Sequence, residues 1–172
     1  MQVTRRKLIL ISVSAAAAVG TTGVVLARKE SASQALVPGQ AVPDMEAFDV
    51  TGKRRTLAEF RGKPVVLEWT SPSCPFVRAH YEGGSMQALH RWAAERGVVW
   101  LSVLSTHPSR GDYLAPADAV KFNQGRKAPP TALLMDPAGE LGRRFGARTT
   151  PHMFVIDNSG RLAYAGAIDD KP

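Results

Sequence analysis

Val65-Val66-Leu67-Glu68-Trp69-Thr70-Ser71-Pro72-Ser73-Cys74-Pro75-Phe76-Val77 is the stretch from which the rest of the chain can be ordered. VVLEW is a short apolar, β-branched run bounded by Gly62 and Pro64, which predicts a buried strand. A Thr/Ser/Pro loop follows, then Cys74 with Pro75 directly behind it. Proline suits a first helical position because its missing N–H would be unpaired there anyway. Cys74 is therefore expected at the N-terminal end of a helix, at the carboxyl edge of a central strand. Free N–H groups and the helix dipole at such a place favour a thiolate, the reactive form of cysteine. The plainer alternative for a lone cysteine is a buried, inert thiol.

Working outward towards the N-terminus, residues 1–27 do not look like part of a fold. Thr4-Arg5-Arg6-Lys7 runs into Leu8–Leu26, which carries no charge, and Val25-Leu26-Ala27 offers the small residues of a cleavage site. The arginine pair resembles a twin-arginine export signal, and the alternative is a retained membrane anchor. Either implies export, to a bacterial periplasm or cell envelope. Residues 28–43 are polar and aperiodic and read as a linker, leaving 44–172 as one domain, enough for a single core. Three of the net +7 charges sit at Arg5, Arg6 and Lys7, and no block of five like charges occurs beyond them, so nothing specific points to nucleic acid. One cysteine in an exported chain leaves no internal structural disulfide, only a reactive thiol or an intermolecular bond.

The remaining elements follow from periodicity. Residues 48–57 predict a hairpin turning at Thr51-Gly52, and 57–60 a short helical turn. A helix from Pro75 to Tyr81 breaks at Gly83-Gly84 and resumes from Ser85 to Arg96, with Met86, Leu89 and Ala93 towards the core. Val98–Leu104 is apolar on both faces, as a buried parallel strand should be. A helix over 116–126, a strand over 131–135, a helix carrying Leu141 and Phe145, and a final hairpin over 151–168 complete the order. Strands alternating with helices predict an α/β/α sandwich on a mixed sheet, with parallel pairing across the crossovers.

These residues resemble the thioredoxin-like superfamily, specifically its redoxin, TlpA-like and AhpC/TSA-related group of exported thiol oxidoreductases. The resemblance rests on Asp49-Val50-Thr51-Gly52, on Phe60-Arg61-Gly62-Lys63-Pro64-Val65-Val66-Leu67, and on Phe145–Asp157 followed by Gly160-Arg161. It implies a cis peptide bond at Thr150–Pro151 facing Cys74. Three departures stand out. The usual Cys-x-x-Cys pair reads Cys74-Pro75-Phe76-Val77, a version similar to a CPFV subgroup with a single thiol. Ser71-x-x-Cys74 resembles the peroxiredoxin Ser/Thr-x-x-Cys, but Leu67 stands where a proline is expected and Pro151 where an arginine is expected. Finally, the chain stops at Lys171-Pro172, where the superfamily's last helix should begin, so that helix is expected to be missing.

The resemblance implies a redox protein acting through Cys74, with Ser71, Pro75, Arg148, Thr150 and Pro151 in support and Trp69 and Phe76 on the substrate face. A single thiolate can attack a disulfide sulfur or a peroxide oxygen. With Val77 in place of a second cysteine, release of a mixed disulfide needs an outside thiol: a glutathione-type reductant or a protein thiol. Thiol–disulfide exchange is the first reading and a one-Cys peroxidase the second. The third is a binding module that does no chemistry. No cofactor is expected, and His80, His107 and His152 lack the spacing of metal ligands beside Cys74.

Overall fold

A computed structural model describes residues 35–169. The expectations for the 1–27 leader, for the first part of the linker and for the missing last helix lie outside the described residues. Seven strands, β1 (Glu46–Asp49), β2 (Arg54–Thr56), β3 (Val65–Trp69), β4 (Val99–Leu104), β5 (Ala132–Met135), β6 (His152–Ile156) and β7 (Leu162–Gly166), form one mixed sheet in the order β2-β1-β5-β4-β3-β6-β7. The helices are α1 (Pro75–Glu82), α2 (Ser85–Glu95), α3 (Pro116–Gly125) and α4 (Glu140–Phe145), with a 3-10 turn over Leu57–Phe60.

β3 is buried along its whole length, as its uninterrupted apolar pattern requires, and lies between parallel β4 and antiparallel β6. Because side chains alternate across a strand, it feeds two different layers. Leu67 and Trp69 point into a core with Leu101, Val103, Leu141, Phe145 and Phe154, roofed by α4 and the 3-10 turn. Val66 points the other way, against Val77 and Tyr81 of α1, Met86 and Ala93 of α2, and Trp100. Ala119 of α3 extends that second layer over Leu104 and Leu133.

The hairpin turns where its sequence asks: Gly52 has φ 80°, and Asp49 accepts hydrogen bonds from the backbone N–H groups of Thr51 and Lys53. Arg55 Nε donates to Asp49 Oδ2 at 2.8 Å. Burial alone would raise the Asp49 carboxyl, but the bonds from Thr51, Arg55 and the turn backbone more than offset it and hold the group at about 2.

Four details differ from the sequence reading. Not every strand joined by a helix pairs parallel. β6 follows α4 yet runs antiparallel to β3, because the connection from β5 passes β4 and β3 at the end of the sheet where β5 finishes and enters β6 from there. Leu89 is 40% exposed, and His90, at 1%, takes the core position expected for it. Counting from Met86, the buried face of α2 runs through His90 and Ala93, and the polar cluster described below gives that imidazole its place. Val120 and Phe122 of α3 are only partly buried, with Ala119 the helix's one buried residue. Residues 39–42 are part of the sheet edge and no tether: Gly39 N–H donates to Leu162 O, Val42 N–H to Gly160 O, and Ala41 bridges Arg161. Leu36 and Val42 pack against the core, two apolar anchors in a stretch whose composition reads as polar.

Candidate active site

β3 ends at Trp69, and the chain turns through Thr70–Ser73 into α1. Cys74 is the N-cap of that helix, in extended conformation (φ −77°, ψ 120°), with Pro75 in the first turn. Its backbone carbonyl accepts from Arg78 N–H, so the helix starts regularly. The thiol, however, does not fold back over the helix end. Its Sγ lies 2.9 Å from Thr150 O and donates to it, across the sheet from α1 to the loop before β6. The Thr150–Pro151 peptide bond is cis. β6 pairs with β3 in a register that sets His152 opposite Trp69, which brings Thr150 and Pro151 level with the Cys74 loop. Cys74 is partly buried and packs on the Val77, Tyr81 and Met153 cluster.

The neighbouring residues divide between the thiol's surroundings and the frame behind it. Ser71 Oγ is 3.0 Å from Ser73 Oγ, and Ser73 donates to Asp112 Oδ2 at 2.7 Å, tying the active loop to the long β4–α3 loop. The hydrogen bond from Ser73 holds the partly exposed Asp112 carboxyl below its ordinary range. Phe76 is 67% exposed beside the thiol. Trp69, by contrast, belongs to the frame. It is buried between Phe145 and Phe154, at centroid distances of 5.4 and 5.1 Å, and its Nε1–H donates to Ser105 Oγ. Ser105 in turn donates to Asp136, whose carboxylate accepts the first free N–H groups of α4 at Leu141 and Gly142.

A groove of about 430 Å3 opens beside Thr150, lined among others by Trp69, Ser71, Arg143 and Arg148. Arg148 acts through its backbone N–H on His152 Nδ1, at 3.3 Å. Burial, then the nearby Arg148 charge, lower His152 below the usual histidine range. His80 stands 4.0 Å from Asp169, and His107 bonds Ser109. Among the described residues no three His, Cys, Asp or Glu side chains gather as a metal site.

What sequence reasoning missed is the buried polar cluster behind α1. Glu68, fully buried on β3, accepts hydrogen bonds from Tyr81 OH, Trp100 Nε1–H and Ser102 OH at 2.8–2.9 Å. His90 Nε2 is 3.5 Å away. Burial alone would raise the Glu68 carboxyl, but His90, the Arg126 charge and these donors outweigh it and hold the group below its ordinary value. Burial and the Glu68 charge push the Tyr81 phenol up. A single charged residue inside an apolar run was the available signal, since a buried carboxylate demands partners.

The AhpC/TSA family profile matches residues 38–165, and the chain belongs to that family. Its fold is the thioredoxin-like one, a seven-stranded mixed sheet with four helices. Among solved structures, an uncharacterized conserved protein from Geobacillus kaustophilus superposes with a TM-score of 0.70 at 21% identity, over 79% of this chain and 71% of the other. A hypothetical protein from Sinorhizobium meliloti does so with 0.67 at 26%, over 81% and 75%. The exposed lipoprotein thioredoxin of Streptococcus pneumoniae gives 0.59 at 25%, over 75% and 92%. No curated protein matches the sequence.

Proposed function

We propose that this AhpC/TSA-family chain is an exported thiol–disulfide oxidoreductase acting through Cys74 alone. One observation carries the reading: the chain's single cysteine is the N-cap residue of α1, and its thiol stands 2.9 Å from the carbonyl of Thr150, beside the cis Pro151 and an open groove. An extended segment of a protein disulfide would lie along that groove and against Phe76, and the Cys74 thiolate would attack one of its sulfurs. Departure of Sγ from Thr150 O frees it for that attack. It also leaves the sulfur near the N–H groups of Phe76 and Val77, which the side chain does not engage at rest. The product is a mixed disulfide that an external thiol resolves, since the chain has one cysteine. Ser71 and Ser73 shape the loop, and Arg148 supplies positive charge at the groove.

Peroxide reduction ranks below exchange. Ser71 is already engaged with Ser73, and the one polar group bonded to Sγ is a carbonyl, an acceptor that cannot polarise a peroxide. Export is supported by the 1–27 segment and by the likeness to an exposed lipoprotein thioredoxin. Reduced protein mixed with a disulfide-bonded peptide should give one mixed disulfide, mapped by mass spectrometry to Cys74 and released by added thiol. A chain that forms no adduct under conditions where a free cysteine does so would overturn the proposal.

A further inference from the structure

On the side of the active loop away from the Thr150 groove lies a second pocket, of about 500 Å3, running from Ser71 and Pro72 along α1 to the C-terminal end of α3. Cys74, Val77, Arg78 and Tyr81 are spaced i, i+3, i+4 and i+7, so they share one face of α1. The last three line the pocket, and Cys74 heads the same face. Arg78 lies one turn, about 6 Å of rise, beyond the thiol residue. The pocket therefore begins one helical turn from Cys74, on the side of α1 away from the Thr150 carbonyl that Sγ bonds at rest.

Its floor is the guanidinium of Arg126, held 3.9 Å over the Tyr81 ring and 4.4 Å from that of Phe122. Its nitrogens donate to Thr70 Oγ1 and to Asn123 Oδ1, which are neutral acceptors. No carboxylate lies within 4 Å of it among the described residues. Glu68 stands behind it with both oxygens engaged by other donors. Burial lowers Arg126 from its ordinary value. A largely buried cation normally has an anion beside it, and here the rim adds Arg78 and Lys127 against the single acid Glu82. The floor offers aromatic rings and the guanidinium hydrogens that Asn123 and Thr70 leave free on Nη1 and Nη2, which suit a carboxylate.

We infer that this pocket binds a carboxylate-bearing low-molecular-weight thiol, the reductant that regenerates Cys74. The inference rests on the proposed role of Cys74 as a redox thiol. Two equivalents balance the cycle. The first thiolate attacks Sγ of the Cys74–substrate disulfide; that bond breaks, a Cys74–thiol disulfide forms, and the departing substrate thiolate takes a proton. A second thiolate then attacks the sulfur of the bound thiol. This returns Cys74 as thiolate and releases the oxidised dimer of the small thiol, which carries away the two-electron oxidation.

The test starts from full-length protein with Cys74 converted to its 2-pyridyl disulfide, from which attack at Sγ liberates 2-thiopyridone. Mercaptosuccinate and mercaptoethanol are compared, each rate divided by that of the same thiol with free dipyridyl disulfide. The corrected preference for mercaptosuccinate should be about tenfold, the size expected of one charge-assisted hydrogen bond. It should fall part of the way in Arg78→Gln/Lys127→Gln, whose substitutions lie at the exposed rim, and to near one in Arg126→Gln, which removes the guanidinium at the floor. No preference in the wild type, or a preference unchanged by that variant, overturns the inference.

A parallel NMR titration of Cys74→Ser with S-methyl-mercaptosuccinate reads the pocket without the thiol. Shifts at Arg126 and Tyr81 are expected, and their absence is a second overturning result. If Cys74 cannot be converted to its mixed disulfide at all, the redox reading has failed, and the titration still decides whether the pocket takes the anion.

Discussion

Glu68 and Trp69 are neighbours on one strand and look into opposite layers. The layer under Trp69 is closed by hydrocarbon: Phe145 and Phe154 meet the indole edge-on or tilted, and each is 1% exposed. The layer under Glu68 is closed by hydrogen bonds, with one carboxylate gathering Tyr81 from α1, Trp100 and Ser102 from β4, and His90 from α2 at the edge of reach. Apolar contacts tolerate repacking, whereas a buried carboxylate holds its donors in one arrangement. The helix that presents Cys74 therefore rests on the polar layer, and the loop that presents Thr150 leads into the apolar one. The 2.9 Å contact between them depends on both.

The largest effect should come from Glu68→Ala. It leaves three buried donors without their shared acceptor and removes the negative charge that the Arg126 cation faces, for an expected loss of about 3–5 kcal/mol. Phe145→Ala should cost about 3–5 kcal/mol as well, by a cavity. The comparison sharpens in the second variant of each pair. Phe145→Leu should recover most of the stability, while the isosteric Glu68→Gln should recover only part, because an amide brings two donors to a site that needs acceptors. Chemical denaturation of the four variants checks this. Full recovery by Gln would show that the Glu68 charge is not what orders its layer.

pH gives a smaller, graded test. The His152 ring is held below the usual histidine range, so the unfolded chain binds its proton more readily than the folded one. Its contribution is then present above the unfolded value of about 6.5 and lost as pH falls below it. Stability should decline between about pH 7 and 5 in the wild type, and His152→Phe should remove that slope. For Asp49, held at about 2, the stabilisation is present above the unfolded carboxylate value of about 3.9 and is lost only as pH falls through about 2. The two residues therefore leave separate signatures. An unchanged slope between pH 7 and 5 in His152→Phe would remove the imidazole from the account.

The sequence made the two layers unequally visible. Periodicity located β3, β4 and the Leu141 and Phe145 face of α4, because hydrocarbon burial repeats with the element that causes it. The helix break at Gly83-Gly84 was legible from composition, and Gly84 indeed adopts a positive φ of 76°. The polar layer left one sign, a Glu in an apolar run, since its partners come from elements far apart in sequence and no periodicity links them. Leu89 reads as inward and His90 gives no signal for the same reason: hydropathy ranks leucine above histidine unless the partner is known. At the site, the position of Cys74 could be read from Pro75. The side its sulfur faces was legible only through the family resemblance, which sets Thr150–Pro151 opposite Cys74; no residue spacing links groups 76 residues apart.

The most direct measurement is the rate at which Cys74 reacts with dipyridyl disulfide at neutral pH in the native chain, set against the same chain unfolded in guanidinium chloride. The unfolded chain gives the reactivity of this cysteine without its surroundings. If α1 and the Thr150–Pro151 loop form a site for disulfide exchange, the native rate should exceed the unfolded one, and Cys74→Ser should abolish the signal in both. A native rate below the unfolded one would mean that the fold shelters the thiol, and would contradict a redox role for Cys74.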